Sequence, residues 1–339
     1  MHYLLSVLLS NTILFLVYFF IFYKFSEKLK IIDYPDNVRK KHSYPVPAIG
    51  GLIIYFSLVT QVFILEISYN LKIIIISSSL VVLISYLDDS IKIGILPRLI
   101  SQVFASLIII GFNISISYIG SYPIIGEIYL SNFSFLFTLF CILLVTNAYN
   151  FIDGIDGLTG TQFLISLLII LFYIYFENPE NLKLMDIKFV YILIFLSIMF
   201  LLLNLGLFPS KKIFLGDNGS NLLGFILGWI IIYFALKEYI SSTLCIWVVS
   251  LPCIDLLRVF IDRIKLKKNP FHPDRLHIHF LFKEKNYSNF SILLFLSFGS
   301  VIFSVLGYIS FIFGGDILSI LTFIIIVFIY NFSVKKFLS

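Results

Sequence analysis

The sequence consists mainly of apolar segments about 20 residues long, the length that an α-helix needs to cross the hydrocarbon core of a bilayer. Hydrophobic residues make up 60% of its 339 residues and charged residues 13%, whereas a typical soluble domain is about 25% charged. We therefore predict an all-α, polytopic membrane protein. The composition excludes a soluble globular enzyme and a disordered chain. The three cysteines lie in apolar segments and show neither a disulfide pattern nor metal-binding spacing.

Eleven membrane-spanning helices are expected in one integral membrane domain, 1–339. They cover residues 3–23, 48–67, 71–87, 99–118, 132–149, 159–176, 188–206, 221–236, 242–260, 289–312 and 317–333. The first segment has no positive residues before it and no small-residue cleavage site after it, so we expect a retained span rather than a signal peptide. In the segment 120–131, Gly120, Pro123 and Gly126 indicate a turn or hairpin at the membrane surface.

The distribution of basic residues predicts the orientation of the chain. When alternate loops are placed on opposite sides, one side receives 20 of the 24 Lys and Arg residues. The positive-inside rule makes this side cytoplasmic, with the N-terminus outside and the C-terminus inside. The net charge of +5 is thus explained by topology, and no nucleic-acid partner is predicted.

Four polar clusters fall on the predicted cytoplasmic side, each at the inner end of a span. They are Asp88–Lys92, Asn147–Gly157, Gly216–Ser220 and His272–His279. Ionisable residues at the edge of a span are costly and are candidates for function. A channel would distribute polar residues along its pore, whereas here they share one depth. The pattern favours an active site at the inner membrane surface.

Carboxylates from three of these loops indicate a divalent cation. Asp88, Asp89, Asp153, Asp156 and Asp217 would repel one another if they lay near one point. Oxygen ligands without cysteine suit Mg²⁺, with Mn²⁺ as the alternative. The competing interpretation is that individual aspartates cap helix ends.

Glycine turns and basic residues indicate phosphate binding. The turns Asp153–Gly157 and Gly216–Ser220 precede spans, and helix N-termini attract phosphate. Basic residues cluster in the first and last large cytoplasmic loops, where we expect most of them to contact anionic lipid headgroups and to set the topology. His277 and His279 lie beside Arg275 and suit a diphosphate site, as imidazolium or as neutral hydrogen-bond donors.

These features together indicate phosphoryl transfer from a soluble nucleotide-linked donor to a lipid phosphate, because such catalysis is mostly positioning and charge neutralisation. The rival class is a transporter for an anionic metabolite, which would place polar residues in broken helices near the membrane midplane. The candidate there is the group Pro252, Asp255 and Arg258, which we interpret as a helix bend with an ion pair beside the active site.

Four motifs in this order resemble the polyprenyl-phosphate N-acetylhexosamine-1-phosphate transferases. They are Asp88-Asp89, Asn147-x-x-Asn150-x-x-Asp153-Gly-x-Asp156-Gly-Leu158, Leu215-Gly-Asp217-x-Gly-Ser220 and Asp274-Arg275-Leu-His277-Ile-His279. The segment from Arg39 to Gly51 also resembles the family's first cytoplasmic loop. The last motif is closer to the bacterial undecaprenyl-phosphate GlcNAc-1-phosphate transferase branch, although Phe280 replaces the histidine that usually ends it.

The resemblance implies site residues and substrates. It implies catalytic roles for Asp88, Asp89 and Asp153, with Asn150 and Asp217 as metal ligands. The implied substrate-binding residues are Lys41, Lys92, Asn147, Asp156, Arg275, His277 and His279. The implied substrates are a UDP-N-acetylhexosamine and undecaprenyl phosphate, with Mg²⁺ as cofactor and UMP as product.

The implied location is the bacterial cytoplasmic membrane, with the site on its cytoplasmic face. There the product would begin a cell-envelope polysaccharide such as an O-antigen. A homodimer remains an open alternative for the assembly. Transfer of phospho-MurNAc-pentapeptide or of another sugar phosphate remains an alternative reaction.

Overall fold

The computed structural model describes residues 2–35, 44–65, 67–123, 125–183, 185–208, 211–269 and 275–338. The helices in these ranges are α1 His2–Phe25, α2 Gly50–Ile64, α3 Tyr69–Ile91, α4 Ile95–Gly111, α5 Ser134–Phe151, α6 Leu158–Glu177, α7 Met185–Asn204, α8 Asp217–Leu236, α9 Ser242–Val248, α10 Ser250–Lys265, α11 Ile278–Glu284 and α12 Asn289–Leu338. Short 3₁₀ helices lie at Ser131–Phe133 and Pro179–Lys183. The prediction of a mainly helical chain is confirmed.

Two small antiparallel sheets complete the described structure. Strands β1 Ile32–Asp33 and β2 Val46–Pro47 pair before α2. Strands β3 Tyr118–Tyr122 and β4 Gly126–Tyr129 form the second pair. The hairpin predicted near 120–131 is therefore confirmed, and it begins two residues earlier than expected.

The chain divides into two compact units, each built from two stretches of sequence. The first unit contains Met1–Phe112 and Lys183–Ile226, and the second contains Asn113–Leu182 and Leu227–Ser339. Helices α1 to α4 and α7 belong to the first unit, and α5, α6 and α9 to α12 belong to the second. Each unit holds two of the four predicted polar clusters. The assignment of the whole chain to one domain stays a prediction.

Six helices in the described ranges are long and apolar enough to cross a membrane, and a bent pair, α9 with α10, brings the number to seven. Each predicted span overlaps a helix, but α2 has 15 residues and α4 has 17, fewer than the roughly 20 that a perpendicular span needs. The last two predicted spans lie in α12, which leaves helical geometry at Gly314 and Gly315. A polytopic helical membrane protein is confirmed, whereas eleven spans remain a prediction.

Two helices extend beyond the predicted spans and include residues of the polar clusters. Helix α3 continues to Ile91, beyond the predicted end at residue 87, so that Asp88 and Asp89 lie in its last turns. Helix α8 begins at Asp217 instead of residue 221. The hydropathy pattern ends where the polar residues begin, but the backbone hydrogen bonds continue into them.

The break between α9 and α10 bends the chain by 75°. Breaking a helix in an apolar environment leaves carbonyl groups without partners, which neighbouring side chains must then satisfy. Ser304 donates to the Trp247 carbonyl at 3.0 Å and Ser166 donates to the Val248 carbonyl at 2.8 Å. Pro252 lies in the first turn of α10, where its missing N–H costs nothing. The predicted helix bend is confirmed, and it lies at Val249, three residues before Pro252.

Candidate active site

In the first unit, the loop before α8 is fixed to the start of α2 by backbone hydrogen bonds. The N–H groups of Gly50 and Gly51 donate to the carbonyls of Phe214 at 2.9 Å and Leu215 at 3.1 Å. Gly216 follows with φ at +77°, a conformation that side chains strongly disfavour. This geometry places the N-terminus of α8 beside that of α2.

The contact between these two helix starts requires glycine. A Cβ on Gly51 would overlap the Asn218 side chain and the backbone of Gly219. A Cβ on Gly219 would in turn come within 2.9 Å of the Gly51 Cα. The glycines of two separate motifs thus permit a backbone-to-backbone approach that positions Asp217.

Asp89 caps the N-terminus of α8 from another helix. Its carboxylate accepts hydrogen bonds from the backbone N–H groups of Asp217 at 3.1 Å and Asn218 at 3.0 Å, and from the Asn218 side-chain amide at 2.6 Å. The first N–H groups of a helix lack partners within the helix, and a negative charge there is favourable. Asp89 therefore caps the start of α8, as the helix-capping interpretation of the sequence allows for individual aspartates.

Arg98 connects the two remaining carboxylates of this cluster. Its guanidinium lies 3.5 Å from Asp88 Oδ2 and donates to Asp217 Oδ2 at 2.9 Å. The other oxygen of Asp88 accepts a hydrogen bond from the Gly94 N–H at 2.7 Å. Asp88 is buried, whereas the Asp217 side chain is 35% exposed. Of these two carboxylates, Asp217 is the better placed to reach a ligand from solvent.

Arg98 is a residue of this cluster that the sequence motifs do not identify. A basic residue in the first turn of α4 is a detectable signal, because an arginine beside an apolar segment needs an anionic partner. In the sequence, Arg98 contributes only to the excess of basic residues on the predicted cytoplasmic side. Lys92, which was predicted to bind substrate, is the exposed residue that ends α3 with φ at +57°.

In the second unit, the Asp153–Gly157 turn connects α5 to α6. Asp153 is exposed and accepts a hydrogen bond from the Thr159 hydroxyl at 2.9 Å. Asn150 and Asp156 are half-buried, and the Asn147 amide donates to the Leu143 carbonyl at 2.7 Å within α5. The turn thus presents several of the predicted polar residues together at the end of α5.

His279 packs directly on this turn. A Cβ on Gly154 would overlap His279 Nε2 and come within 3.0 Å of Phe280 Cζ. The Phe280 ring lies 4.1 Å from the His279 ring. Two predicted motifs are therefore in contact, and the residue that departs from the family pattern packs against both.

The ring of His277 is held by its neighbours on several sides. Its Nδ1 is 2.8 Å from Asp255 Oδ2, and its ring stacks on Phe151 with centroids 5.2 Å apart. Asp255 also forms an ion pair with Arg258 at 2.7 Å. The ion pair predicted at this helix bend is confirmed, and it contacts one of the predicted substrate-binding histidines.

Both histidines present buried ring nitrogens. His277 Nε2 and both ring nitrogens of His279 have no hydrogen-bond partner among the described residues. Burial, together with the nearby His277, lowers the pKa of His279 to about 3. His279 is therefore neutral at physiological pH, which selects one of the two protonation states considered from the sequence. Buried polar atoms of this kind are costly unless a ligand or water satisfies them.

The structure describes only some of the remaining predicted site residues. Arg275 is exposed just before α11. Lys41, like Arg39, Lys40 and His42 around it, lies outside the described residues, and so do His272 and Asp274.

The donor set of the first unit fits a magnesium ion. Within the described ranges, no three His, Cys, Asp or Glu residues are grouped closely enough to hold a metal by themselves. Magnesium often takes only one or two carboxylates and completes its shell with water and substrate phosphates. A partly exposed Asp217 in a Gly-rich turn meets that requirement. Asn150, the other predicted ligand, belongs to the second unit.

Comparison with known proteins supports the resemblance. Residues 71–235 match the model described as glycosyl transferase family 4. The Escherichia coli (strain K12) undecaprenyl-phosphate alpha-N-acetylglucosaminyl 1-phosphate transferase is 26% identical over 344 residues, which cover 98% of this chain and 90% of the relative. The protein of the same name from Haemophilus influenzae is 28% identical over 82% of this chain and 78% of the relative. The one from Yersinia pestis is 25% identical over 86% of this chain and 80% of the relative. The predicted resemblance is confirmed.

Proposed function

We propose that this protein transfers a sugar 1-phosphate, in the first place GlcNAc-1-phosphate, from a UDP-N-acetylhexosamine to undecaprenyl phosphate and releases UMP. The observation that carries the proposal is the cluster of Asp88, Asp89 and Asp217 around Arg98. It occurs in a chain similar over 98% of its length to a transferase named for this reaction.

The first unit supplies the fixed carboxylates. Asp217 is partly exposed and stands at the N-terminus of α8, while Asp89 occupies the N–H groups there. Arg98 provides a positive charge to the same cluster. We propose that Asp217 is a ligand for Mg²⁺, which would neutralise charge on the donor phosphates when bound. Asn150, in the second unit, stays the other predicted ligand. The positions of Asp88 and Asp89 suit a supporting role around Asp217.

The second unit supplies groups for the donor. His277 Nε2 and the His279 nitrogens are buried polar atoms that a ligand could satisfy. Arg275 is exposed two residues before His277, and Asp153 is exposed in the Asp153–Gly157 turn, on which His279 packs. Asp156 lies in this turn, and Asn147 lies just before it in α5. We propose that the two histidines, with Arg275, Asp156 and Asn147, contact the diphosphate, sugar and uridine of the donor, and that Asp153 has a catalytic role.

Direct attack is the mechanism that the carboxylates support best. An oxygen of the lipid phosphate forms a bond to the sugar-bound phosphorus, and the bond from that phosphorus to the bridging oxygen breaks, so that UMP leaves. The acceptor phosphate is mostly dianionic at neutral pH because its second pKa is about 6, and no strong base is required. Asp88 and Asp89 are engaged by backbone N–H groups, which disfavours a covalent aspartyl-phosphate intermediate.

The membrane context extends the proposal. We propose eleven spans, counting the shorter helices and both halves of α12, with the N-terminus outside and the C-terminus in the cytoplasm. The active site then lies at the cytoplasmic face of a bacterial inner membrane, where a UDP-sugar arrives from solvent and the lipid from the bilayer. The product would start an O-antigen or a related cell-envelope polymer.

A donor panel tests the reaction. Purified protein in detergent is mixed with undecaprenyl phosphate, Mg²⁺ and radiolabelled UDP-GlcNAc, UDP-GalNAc or UDP-MurNAc-pentapeptide, and both the labelled lipid and UMP are measured. We expect lipid labelling with UDP-GlcNAc and equal amounts of UMP, and none without the lipid phosphate.

Two outcomes would contradict the proposal. Labelling by UDP-MurNAc-pentapeptide alone would assign the chain to the other transferase reaction. Uptake of UDP-sugar into proteoliposomes without any transfer would assign it to the transporter class.

A further inference from the structure

Asp255 is a fully buried carboxylate in the broken α9–α10 segment, and it receives an unusual number of hydrogen bonds. Its Oδ1 accepts from Arg258 Nη2 at 2.7 Å and from the Tyr330 hydroxyl at 2.9 Å. Its Oδ2 lies 2.8 Å from His277 Nδ1, and the Ile278 N–H lies 3.3 Å from the same oxygen. Groups from α10, α11 and α12 thus converge on one carboxylate.

This arrangement fixes the proton of His277. A carboxylate at 2.8 Å can only accept, so Nδ1 must carry the hydrogen. The other ring nitrogen, Nε2, is then the one that faces away from Asp255, and it is buried with no partner in the described part of the chain. Phe151 and His279 stack beside the ring and restrict its rotation.

The ion pair with Arg258 does not by itself explain the contacts of both Asp255 oxygens. Arg258 contacts only Oδ1 of Asp255, and it donates to Asp262 and to the Leu276 carbonyl as well. The second oxygen is directed to the histidine and to the first N–H of α11. The carboxylate therefore orients the loop that carries the predicted donor-binding residues.

We infer that Asp255 is a positioning residue that holds His277 as the Nδ1–H tautomer and leaves the Nε2 lone pair to accept a hydrogen bond from a hydroxyl or N–H group of the nucleotide donor. This inference rests on the proposed function for its ligand. In this tautomer Nε2 can only accept, so the group that it meets on the donor must itself carry a hydrogen.

The tautomer can be measured without any substrate. The protein contains five histidines, so nitrogen NMR of protein labelled with ¹⁵N-histidine reports on five imidazole rings. The signals that disappear in His277→Gln are those of His277. We expect the Nδ1–H form in the wild type at neutral and alkaline pH. The Nε2–H form in the wild type would overturn the inference, whether or not any variant folds and whether or not the protein transfers sugar phosphate.

Variants test the link between Asp255 and the donor. In Asp255→Asn, the amide can donate to Nδ1, so we expect His277 to change to the Nε2–H tautomer. We expect kcat/KM for UDP-GlcNAc to fall about twofold to tenfold, the range for loss of a neutral hydrogen bond. The double variant with His277→Gln should be no slower than His277→Gln alone, because both changes remove one function.

A matched carboxylate serves as the control. Asp316 in α12 also accepts hydrogen bonds, from the Ser121 N–H and the Thr243 hydroxyl, and takes no part in the proposed site. Asp316→Asn should leave the His277 signal and kcat/KM unchanged. If the losses in Asp255→Asn and His277→Gln multiply in the double variant, Asp255 acts independently of His277 and the inference fails. A wild type that shows the expected tautomer but no transfer would overturn the proposed function alone.

Discussion

Asp89 and Asp217 belong to one cluster, but their carboxylates differ in hydrogen bonding and in exposure to solvent. Asp89 accepts three hydrogen bonds from the start of α8, which use its oxygens for capping. Asp217 stands at that helix start with a partly exposed side chain, which forms an ion pair with Arg98. A ligand-binding role therefore suits Asp217, and a supporting role suits Asp89.

The first prediction concerns Asp217. We expect Asp217→Asn to lower transfer about a thousandfold or more, because losing a charged metal ligand costs several kcal/mol of transition-state stabilisation. The rate of lipid labelling from UDP-GlcNAc measures this, and size-exclusion chromatography in detergent checks folding. Glu27→Gln, an exposed change of the same kind in the first unit, should retain full activity. Activity within about tenfold of wild type would remove Asp217 from the proposed metal site.

Arg98 leads to a second prediction at this scale. Its guanidinium shares Asp217 Oδ2 at 2.9 Å, so it competes with a cation for that oxygen. We expect Arg98→Gln to lower the Mg²⁺ concentration for half-maximal transfer about two- to fivefold, as for a partly exposed ion pair of about 0.5–1 kcal/mol. A Mg²⁺ titration of the transfer rate measures it. Arg98→Lys keeps the charge and should stay nearer the wild type, and an increased Mg²⁺ requirement in Arg98→Gln would contradict the competition.

At the scale of elements, the polar clusters lie where helices begin, end or break. Helix α3 ends in the Asp-Asp pair, α8 begins at Asp217, and α5 ends at the Asp153–Gly157 turn. Helix ends leave backbone groups without partners, and side chains from other elements satisfy them here. The same requirement explains why Ser166 and Ser304 donate to the carbonyls at the α9–α10 break.

The close approach of α2 and α8 gives the third prediction. A Cβ on Gly51 has no room against Asn218 and Gly219, and such overpacking typically costs about 1–3 kcal/mol. We expect Gly51→Ala to lower the apparent melting temperature in detergent and to reduce transfer, because α8 carries Asp217. The control is Gly111→Ala in α4, where nothing lies within 4 Å of the added Cβ; it should melt at or slightly above the wild-type temperature. Equal melting temperatures for both variants would contradict this packing.

At the scale of the whole molecule, two units each bring two motifs together. The first unit joins the Asp-Asp pair to the Gly216–Ser220 turn, and the second joins the Asp153–Gly157 turn to His279. The motifs are spread over most of the sequence, but within each unit they are in direct contact. This pairing supports a shared chemical purpose for motifs that are far apart along the chain.

The fourth prediction tests the proposed orientation. In a cysteine-free background, single cysteines are placed at the exposed or half-buried positions Lys92, Lys212 and Lys268, and at the exposed positions Ser121 and Glu180. We expect an impermeant thiol reagent to label the last two in intact cells and the first three only after permeabilisation. The positive-inside distribution of Lys and Arg is the physical reason. Labelling of Lys212→Cys from outside would contradict a cytoplasmic site.

The sequence alone determined the helical membrane architecture and the positions of the chemical motifs. Hydropathy is a local property, so each apolar segment predicts its own helix, and the glycine and aspartate turns mark the helix ends. It also indicated a hairpin near Gly120 and a bend at Pro252. The exact helix ends were missed because backbone hydrogen bonding continues into polar residues such as Asp88.

Only the tertiary structure decided which polar groups meet. Asp89 caps a helix that begins 128 residues later, and Arg98 pairs with an aspartate 119 residues away. The contacts of Asp255 with His277 and Tyr330 are likewise non-local. A hydrogen bond depends on distances of about 3 Å, and no residue pattern encodes such distances between separate segments. The packing of the helices sets them, which is why the sequence predicts the polar clusters but neither their partners nor the part that Arg98 takes in the site.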